Sequence, residues 1–489
     1  MKKALWMTVL LAIIGTAAFA GSGLLAGLDS FQPVDAEEEG YWYSRYNLGN
    51  LVMRSGMGLT FKPPMEAVKS MMQAVDANPN DGDSPMVKKG IALLKAVYKS
   101  GDPHYIKPLD VNDFSTQRWD PATFEKVVNA SASGWTIIKE AEWAKQFHVD
   151  GHFGSPSSNF GAQWRFVGMV MNASAKTQAA YLLQHLRGEN GLITDSNGQL
   201  DWTGQWILLE AFSNLAGYLD QPTLPHSSSN RYRDPRAAKL FGSAAARLFA
   251  ALNHRQPQNV RELSQAVQAL TWYAAADQKN RDAALGRARA LALQLSLSEA
   301  KGAGQRGYKL RGLIEAWRLS QDPFFKREAA YAFNELVAPY NFEHGMFKGE
   351  TSHSIDDVAA ILGATNAAKL FLGEAIDQNL AEKLFSNFFE SAFNLGQLQQ
   401  SVPPIPVGKG TFEQAEPPLY YGYPSLPKPP MAGGQYGIAP VFASAISWNA
   451  AANRFRVSNH RFDTAGAMHA ANELIWFHNN EVNGFPQIH

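Results

Sequence analysis

The 489-residue chain contains no cysteine. This absence excludes disulfides, thiolate-bound zinc, iron–sulfur clusters, c-type haem attachment and thiol catalysis. Neither sign of charge is in excess, because 44 Lys and Arg residues balance 44 Asp and Glu residues. A balanced charge provides no basic surface for phosphates, so we expect no nucleic-acid partner. Hydrophobic residues make up 45% of the chain, which is ample for a packed core.

Several catalytic motifs are also missing. The sequence has no Gly-x-Ser-x-Gly elbow, no phosphate-binding loop and no HExxH motif. Esterase, nucleotide-binding and zincin functions therefore lack support.

A long, nearly uninterrupted apolar run occurs at the N-terminus. Lys2 and Lys3 precede an apolar stretch that continues to Leu28, and Ala18-Phe19-Ala20 has the small residues of a cleavage site. This layout is typical of a secretory signal, although the stretch is also long enough, at about 20 residues, to span a bilayer uncleaved. We expect residues 1–28 to be a signal peptide or N-terminal anchor. The body is then periplasmic or extracellular, and it meets the membrane only if this segment remains.

The rest of the chain predicts one large helical domain. Residues 29–62 are interpreted as a linker with an aromatic segment, whose Tyr41, Trp42 and Tyr43 are expected to pack on the body. From residue 63 to 489 the apolar spacing is mostly helical, with few strands. Residues 401–435 are rich in proline and predict a long extended loop within this domain.

The predicted helices are of two kinds. Trp206–Ala216 and Val358–Leu370 are almost wholly apolar or small, whereas Pro235–Asn253 and Arg281–Leu297 carry charge along one face. Helices that are apolar all round are enclosed, and helices with one apolar face lie outside. Their alternation predicts an inner ring of helices surrounded by an outer ring, with small residues such as Gly363 permitting close approach.

Two segments carry a resemblance to a known architecture. Residues 345–349 lead into residues 354–359, and Gly191 leads through a turn to Asp201 and Trp202. In this respect residues 123–477 resemble the six-hairpin (α/α) toroids shared by several glycoside hydrolase and polysaccharide lyase families. The resemblance implies an all-α toroid with short β-hairpins and a carbohydrate-acting enzyme. It is one of fold, since no complete catalytic motif of any family is present.

In such a ring, the loops that enter the inner helices meet at one mouth, which brings distant residues together. His353 and Asp356 could form a hydrogen-bonded acid–base pair there. A carboxylate beside an indole, as at Asp201 and Trp202, is typical of a sugar site. The alternative is structural, because Asp201 could cap a helix and Asp356 could complement a helix dipole. The predicted catalytic residues are Asp201, Glu350, His353 and Asp356.

Aromatic and basic residues near these segments predict substrate contacts. Arg306 and Tyr308 are two residues apart, so together they could bind a carboxylate and transfer a proton, as the toroid resemblance implies for a lyase. The predicted substrate-binding residues are Trp164, Trp202, Arg306, Tyr308 and His460.

A metal site is the basis of a second hypothesis. His148, Asp150 and His152 alternate in an extended segment, and imidazole with carboxylate oxygen suits zinc or another divalent metal. The alternative is an exposed polar loop that turns at Gly151. We therefore expect an exported glycoside hydrolase or polysaccharide lyase acting on a polysaccharide or oligosaccharide. The other hypothesis is a non-enzymatic exported scaffold or metal-binding protein that engages a partner.

Overall fold

The computed structural model describes residues 28, 31–76, 78, 80, 84–85, 87, 91–110, 113–148, 161–224, 227, 229–407, 416–420, 426–427 and 432–475. The predicted signal or anchor lies outside these residues except for Leu28, as do Asp150, His152 and much of the Pro-rich loop. Within the described residues, no helix is both long enough and apolar enough to cross a membrane.

Helices dominate the described residues. They are α1 Pro33–Gly49, α2 Met65–Val75, α3 Ala130–His148, α4 Gly161–His185, α5 Trp202–Asp220, α6 Pro235–Leu252, α7 Val260–Ala276, α8 Arg281–Leu297, α9 Ala303–Ser320, α10 Pro323–Val337, α11 Ile355–Phe371, α12 Gln378–Phe389 and α13 Thr464–Glu473. Asn50–Arg54 and Glu390–Leu395 form π-helical turns that continue α1 and α12.

The strands are short. They are β1 Gly58–Phe61, β2 Leu93–Val97, β3 Ser100–Gly101, β4 Tyr340–Asn341, β5 Met346–Phe347, β6 Ser352–Ser354, β7 Pro404–Val407, β8 Glu416–Tyr420, β9 Ala445–Asn449, β10 Arg454–Asn459 and β11 Phe462–Asp463. They pair antiparallel as β1-β2, β10-β9-β6, β11-β3, β4-β5 and β7-β8.

Six of the helices form a closed inner ring. Along the chain, α3, α5, α7, α9, α11 and α13 each pack against the next, and α13 packs back against α3. Five outer helices, α4, α6, α8, α10 and α12, each pack on the inner helix that precedes them, and α1 packs on α13 as the sixth. This arrangement of six helical hairpins is an (α/α) toroid, which confirms the predicted fold class.

The alternation of helix types predicted from the sequence is confirmed. The inner helix α5 buries most of its length, from Gly204 to Leu215. The outer helix α6 buries a single stripe that includes Phe241, Leu248 and Leu252. Glycines let the inner helices approach, since a Cβ on Gly307 of α9 would lie 2.6 Å from the backbone oxygen of Ala360 on α11.

The predicted linker is wrong for residues 33–49, because these form α1. Tyr41 and Tyr43 are almost fully buried, so the expected packing of the aromatic segment on the body is confirmed. Ser44 donates a hydrogen bond to the backbone oxygen of Ala471 on α13, which holds α1 against the inner ring. Buried polar groups such as Glu39 gave this helix the composition of a linker.

Candidate active site

The N-terminal ends of the inner helices lie at one end of the ring, which we call the mouth. Asp201 caps α5 and also accepts a hydrogen bond from Ser131 near the start of α3. Asp463 caps α13. The guanidinium of Arg261, near the start of α7, interacts electrostatically with Asp201, Asp356 and Asp463. The predicted convergence at one mouth is therefore present.

Asp356 is the centre of a hydrogen-bonded cluster at the mouth. Its Oδ1 atom accepts from Arg261 Nη2 at 3.0 Å and pairs with His469 Nδ1 at 3.0 Å. Its Oδ2 atom accepts from the Tyr308 hydroxyl at 2.7 Å. A carboxylate can only accept, so the Nδ1 nitrogen of His469 carries the proton. Inner helices α7, α9, α11 and α13 each contribute one residue to this cluster.

The surroundings keep Asp356 charged and Tyr308 protonated. Burial alone would raise the pKa of Asp356, but Arg261 and the hydrogen bonds from His469 and Tyr308 outweigh it. The pKa of Asp356 therefore lies well below its usual value. Burial, with the neighbouring Asp356 charge, raises the pKa of Tyr308 well above its usual value. Tyr308 is thus a hydrogen-bond donor at neutral pH.

Two aromatic rings stack on the His469 ring. Trp135 stacks on it with ring centroids 4.8 Å apart, and Tyr308 stacks on it at 5.6 Å. Because Asp356 fixes the proton on Nδ1, the lone pair lies on Nε2, which has no hydrogen-bond partner within the described residues. The ring therefore presents Nε2 as its hydrogen-bond acceptor.

The predicted pair of His353 and Asp356 is wrong. His353 is buried, and aromatic rings surround it, namely Phe347, Phe388 and Phe455. Burial lowers the pKa of His353 to about 4. The register of β6 places His353 opposite Ile446 of β9, so Asp356 pairs with His469 instead.

Two other predicted catalytic carboxylates serve helix starts. Asp201 accepts from the backbone N–H of Gly204, which confirms the capping alternative. Glu350 accepts from the backbone N–H of Ala303 at the start of α9, with Arg306 4.0 Å away. Burial raises the pKa of Glu350. Catalytic roles for Asp201 and Glu350 stay predictions.

Of the predicted substrate contacts, Tyr308 alone joins the Asp356 cluster. Arg255 covers a face of Trp202, with its guanidinium carbon 3.9 Å from the ring centroid. Trp164 stacks on Phe147 at the other end of α3. His460 pairs with Gln400, 2.9 Å away, just before β11. Binding roles for Trp164, Trp202, Arg306 and His460 stay predictions.

The predicted metal site lies mostly outside the described residues. His148 accepts a hydrogen bond at Nε2 from the backbone N–H of Arg231, at 2.9 Å. Asp150 and His152 are not among the described residues. The described ranges hold no group of three His, Asp or Glu side chains that could bind a metal. A divalent metal at this loop stays a prediction.

Sequence reasoning missed Arg261 and Trp135 and gave His469 no role. Arg261 and Asp356 share a signal that could have found them, since each lies at the second position of its inner helix. His469 and Trp135 are each the sixth residue of an inner helix, as is Tyr308 on α9. Residues at the same position of the inner helices therefore contact one another, and Asp356 joins the two sets by bonding Tyr308 and His469 one turn deeper.

A layer of buried ion pairs lies one turn deeper than this cluster. Arg311 of α9 pairs with Glu473 of α13 at 3.3 Å and with Glu315 at 3.0 Å. Gly363 of α11 leaves the space that the Glu473 carboxylate occupies. These charges are nearly inaccessible to solvent, so the layer lies as a buried floor beneath the Asp356 cluster.

The fold is a helical toroid, and the hydrogen-bonded cluster around Asp356 lies at its mouth. No family model and no curated protein matches the chain. The structure is similar to the crystal structure of D-mannose isomerase, with 12% identity over 84% of this chain and 97% of that chain, at a TM-score of 0.46. It is also similar to that of a sugar epimerase from a ruminal bacterium, with 10% identity over 83% and 98%, at a TM-score of 0.39.

Proposed function

We propose that this protein is an exported enzyme that acts on a carbohydrate by proton transfer at the mouth of the toroid. His469 is the base that removes a proton from a carbon next to a carbonyl or carboxylate group. The observation that carries the proposal is the contact of His469 Nδ1 with Asp356 Oδ1, which directs the Nε2 lone pair away from the carboxylate.

Each neighbour of His469 has a role in this chemistry. Asp356 stabilises the imidazolium that forms when Nε2 takes up the proton, as a buried carboxylate beside a histidine does. Arg261 is 39% exposed and bonds Asp356 through Nη2, so its other N–H groups can meet an oxygen that gains charge. Tyr308 holds the second oxygen of Asp356.

Among the predicted activities, lyase chemistry fits this site better than hydrolysis. A glycoside hydrolase uses two carboxyl groups, one of them protonated, across the scissile bond. At the mouth Asp356 is held charged, and Asp201 and Asp463 cap helices. A lyase or an enzyme that moves a proton along a sugar needs a base and a cationic group, which are His469 and Arg261.

The remaining parts of the proposal have separate support. The carbohydrate class rests on the resemblance of the toroid to glycoside hydrolase and polysaccharide lyase domains, which is an argument from fold. Export rests on the charged and apolar pattern of residues 1–28.

The test is a screen of neutral sugars and uronate polymers with the full chain in deuterated water. Abstraction and return of a proton would place deuterium on a product carbon, whereas elimination would yield an unsaturated sugar. We expect one of these products with the wild type and a loss of about 10²–10⁴-fold with H469Q. His254→Gln is the control, because His254 is exposed on the short segment between α6 and α7.

Absence of turnover on every sugar would favour the scaffold hypothesis. Wild-type turnover by H469Q would remove His469 from the mechanism.

A further inference from the structure

Trp135 makes the closest ring contact with His469. The two rings are nearly parallel, with an interplanar angle of 17° and centroids 4.8 Å apart. Tyr308 stacks on His469 at 13° and 5.6 Å. Both contacts are stacked rather than edge-on, and the indole is the nearer of the two rings. The imidazole of His469 therefore has an indole and a phenol ring stacked against it.

Trp135 lies on a stretch of α3 that is packed against both neighbouring inner helices. Its backbone oxygen accepts a hydrogen bond from Asn472 at 3.0 Å, and Asn472 lies three residues after His469 on α13. The preceding Gly134 lets α3 approach α5, because a Cβ there would lie 2.6 Å from Ile207. Trp135 itself is only 3% exposed. The indole face is therefore fixed relative to the imidazole before any substrate arrives.

We propose that Trp135 is a positioning residue that keeps the His469 ring in its orientation and stabilises the imidazolium over the neutral imidazole. The inference rests on the proposed function, in which His469 becomes charged during proton transfer. An indole face attracts a cation more strongly than a phenyl or phenol face does. Stacking also blocks rotation of the ring, so Nε2 stays directed away from Asp356.

Four other ionisable groups lie near His469 and must be kept constant in the test. They are Asp356 of α11, Tyr308 of α9, Arg261 of α7 and Glu473, one turn further along α13. A substitution at Trp135 leaves all four of these side chains in the protein.

The test compares W135F with W135L in the full-length protein by NMR titration of the His469 ring. The resonance is identified by its disappearance in H469Q. Loss of the aromatic face in W135L should lower the midpoint of this titration by roughly 0.4–1.5 pH units, which corresponds to the usual range for a cation above a ring. W135F keeps an aromatic face and should show less than half of that shift.

Trp206→Leu is the matched control, because Trp206 is an equally buried indole on inner helix α5. It should lower the melting temperature while leaving the His469 midpoint unchanged. A folded W135L protein with the wild-type midpoint would overturn the proposal. If W135L does not fold, W135M takes its place, because Met fills much of the same space without an aromatic face; a folded W135M protein with the wild-type midpoint would overturn the proposal.

The titration needs no substrate, so its outcome is independent of the proposed function. Where turnover exists, W135L should lower kcat about 10-fold or more with little change in KM, and W135F should restore most of it. A shifted midpoint without turnover would support the role of Trp135 and count against the proposed enzyme. Turnover with no shift of the midpoint would support the proposed enzyme and overturn the role of Trp135.

Discussion

Asp356 Oδ1 and His469 Nδ1 lie 3.0 Å apart although 113 residues separate them in the sequence. The contact exists because α11 and α13 are neighbours in the inner ring and both enter it from the mouth. Their N-terminal turns therefore lie side by side, whatever the length of chain between them. A carboxylate and an imidazole that share a proton in this way make a dyad suited to proton transfer.

Replacing Asp356 by Asn should lower both the activity and the stability of the protein. The amide keeps the size of the side chain, but Arg261 and His469 lose a charged acceptor. We expect turnover to fall about 10²–10⁴-fold and the free energy of unfolding to fall by about 1–3 kcal/mol. Kinetics and urea unfolding measure both, with the exposed Asp282→Asn as control.

The stability difference between D356N and the wild type should depend on pH. The pKa of Asp356 is lower in the folded protein than in the unfolded chain, so the stabilisation is complete above about pH 4. It is lost as the pH falls from there. Melting temperatures of the two proteins should therefore converge in acid; a gap that is constant from pH 7 to pH 3 would contradict this.

Replacing Tyr308 by Phe should retain the stacking and remove the hydroxyl. The ring that contacts His469 remains, whereas the 2.7 Å hydrogen bond to Asp356 is lost. The free energy of unfolding should fall by about 0.5–1.5 kcal/mol. Y308F should keep the His469 ring orientation in a crystal structure, and a rotated imidazole would show that the hydroxyl, not the ring, holds it.

A second carboxyl cluster joins α1 to the π-helical turn after α12. The side-chain amide of Asn394 donates to Glu39 at 2.8 Å and to Glu390 at 2.5 Å. Tyr43 donates to Glu39 as well, at 2.9 Å. Burial raises the pKa of Glu39 to about 7 and that of Glu390 to about 8, with Asp35 adding negative charge. Lys369 of α11 forms an ion pair with Glu37, which lies on α1 as Glu39 does.

This cluster predicts a loss of stability as the pH rises. Between about pH 4.5 and 8 the folded protein holds protons on these carboxyls that the unfolded chain releases, so the folded state is penalised as the pH rises through that window. E390Q keeps an acceptor for Asn394 and should reduce this pH-dependent loss of unfolding free energy by on the order of 1–3 kcal/mol. Chemical denaturation at pH 5 and pH 8 measures it. Exposed Glu382→Gln should leave this loss unchanged.

Replacing Gly363 by Ala should destabilise the protein although Ala favours helix. A methyl group at this position would overlap the Glu473 side chain. We expect a loss of about 1–3 kcal/mol, typical of overpacking. Gly286→Ala on outer helix α8 has no neighbour within 4 Å and should gain up to about 1 kcal/mol. Equal effects of the two substitutions on thermal unfolding would show that the layer beneath the mouth is loosely packed.

The sequence alone determined the division into inner and outer helices, though it did not reveal that residues 33–49 form a helix. Apolar spacing reports how much of a helix is buried, which is why α5 and α11 were assigned to the inside and α6 and α8 to the outside. Capping by Asp201 was also a local property, since its partner Gly204 is three residues away. The mouth followed from this arrangement, and with it the choice of Asp356 and Tyr308.

Only the tertiary structure decided which side chains meet. Burial pattern does not identify a partner, so nothing local showed that Asp356 contacts His469 and that the β6 register sends His353 among phenylalanines. Arg261 and Trp135 became part of the site because ring closure sets equivalent turns of separate helices at one depth. The role of α1 as the sixth outer helix had the same cause, since its buried polar residues are satisfied by partners more than 300 residues away, such as Asn394.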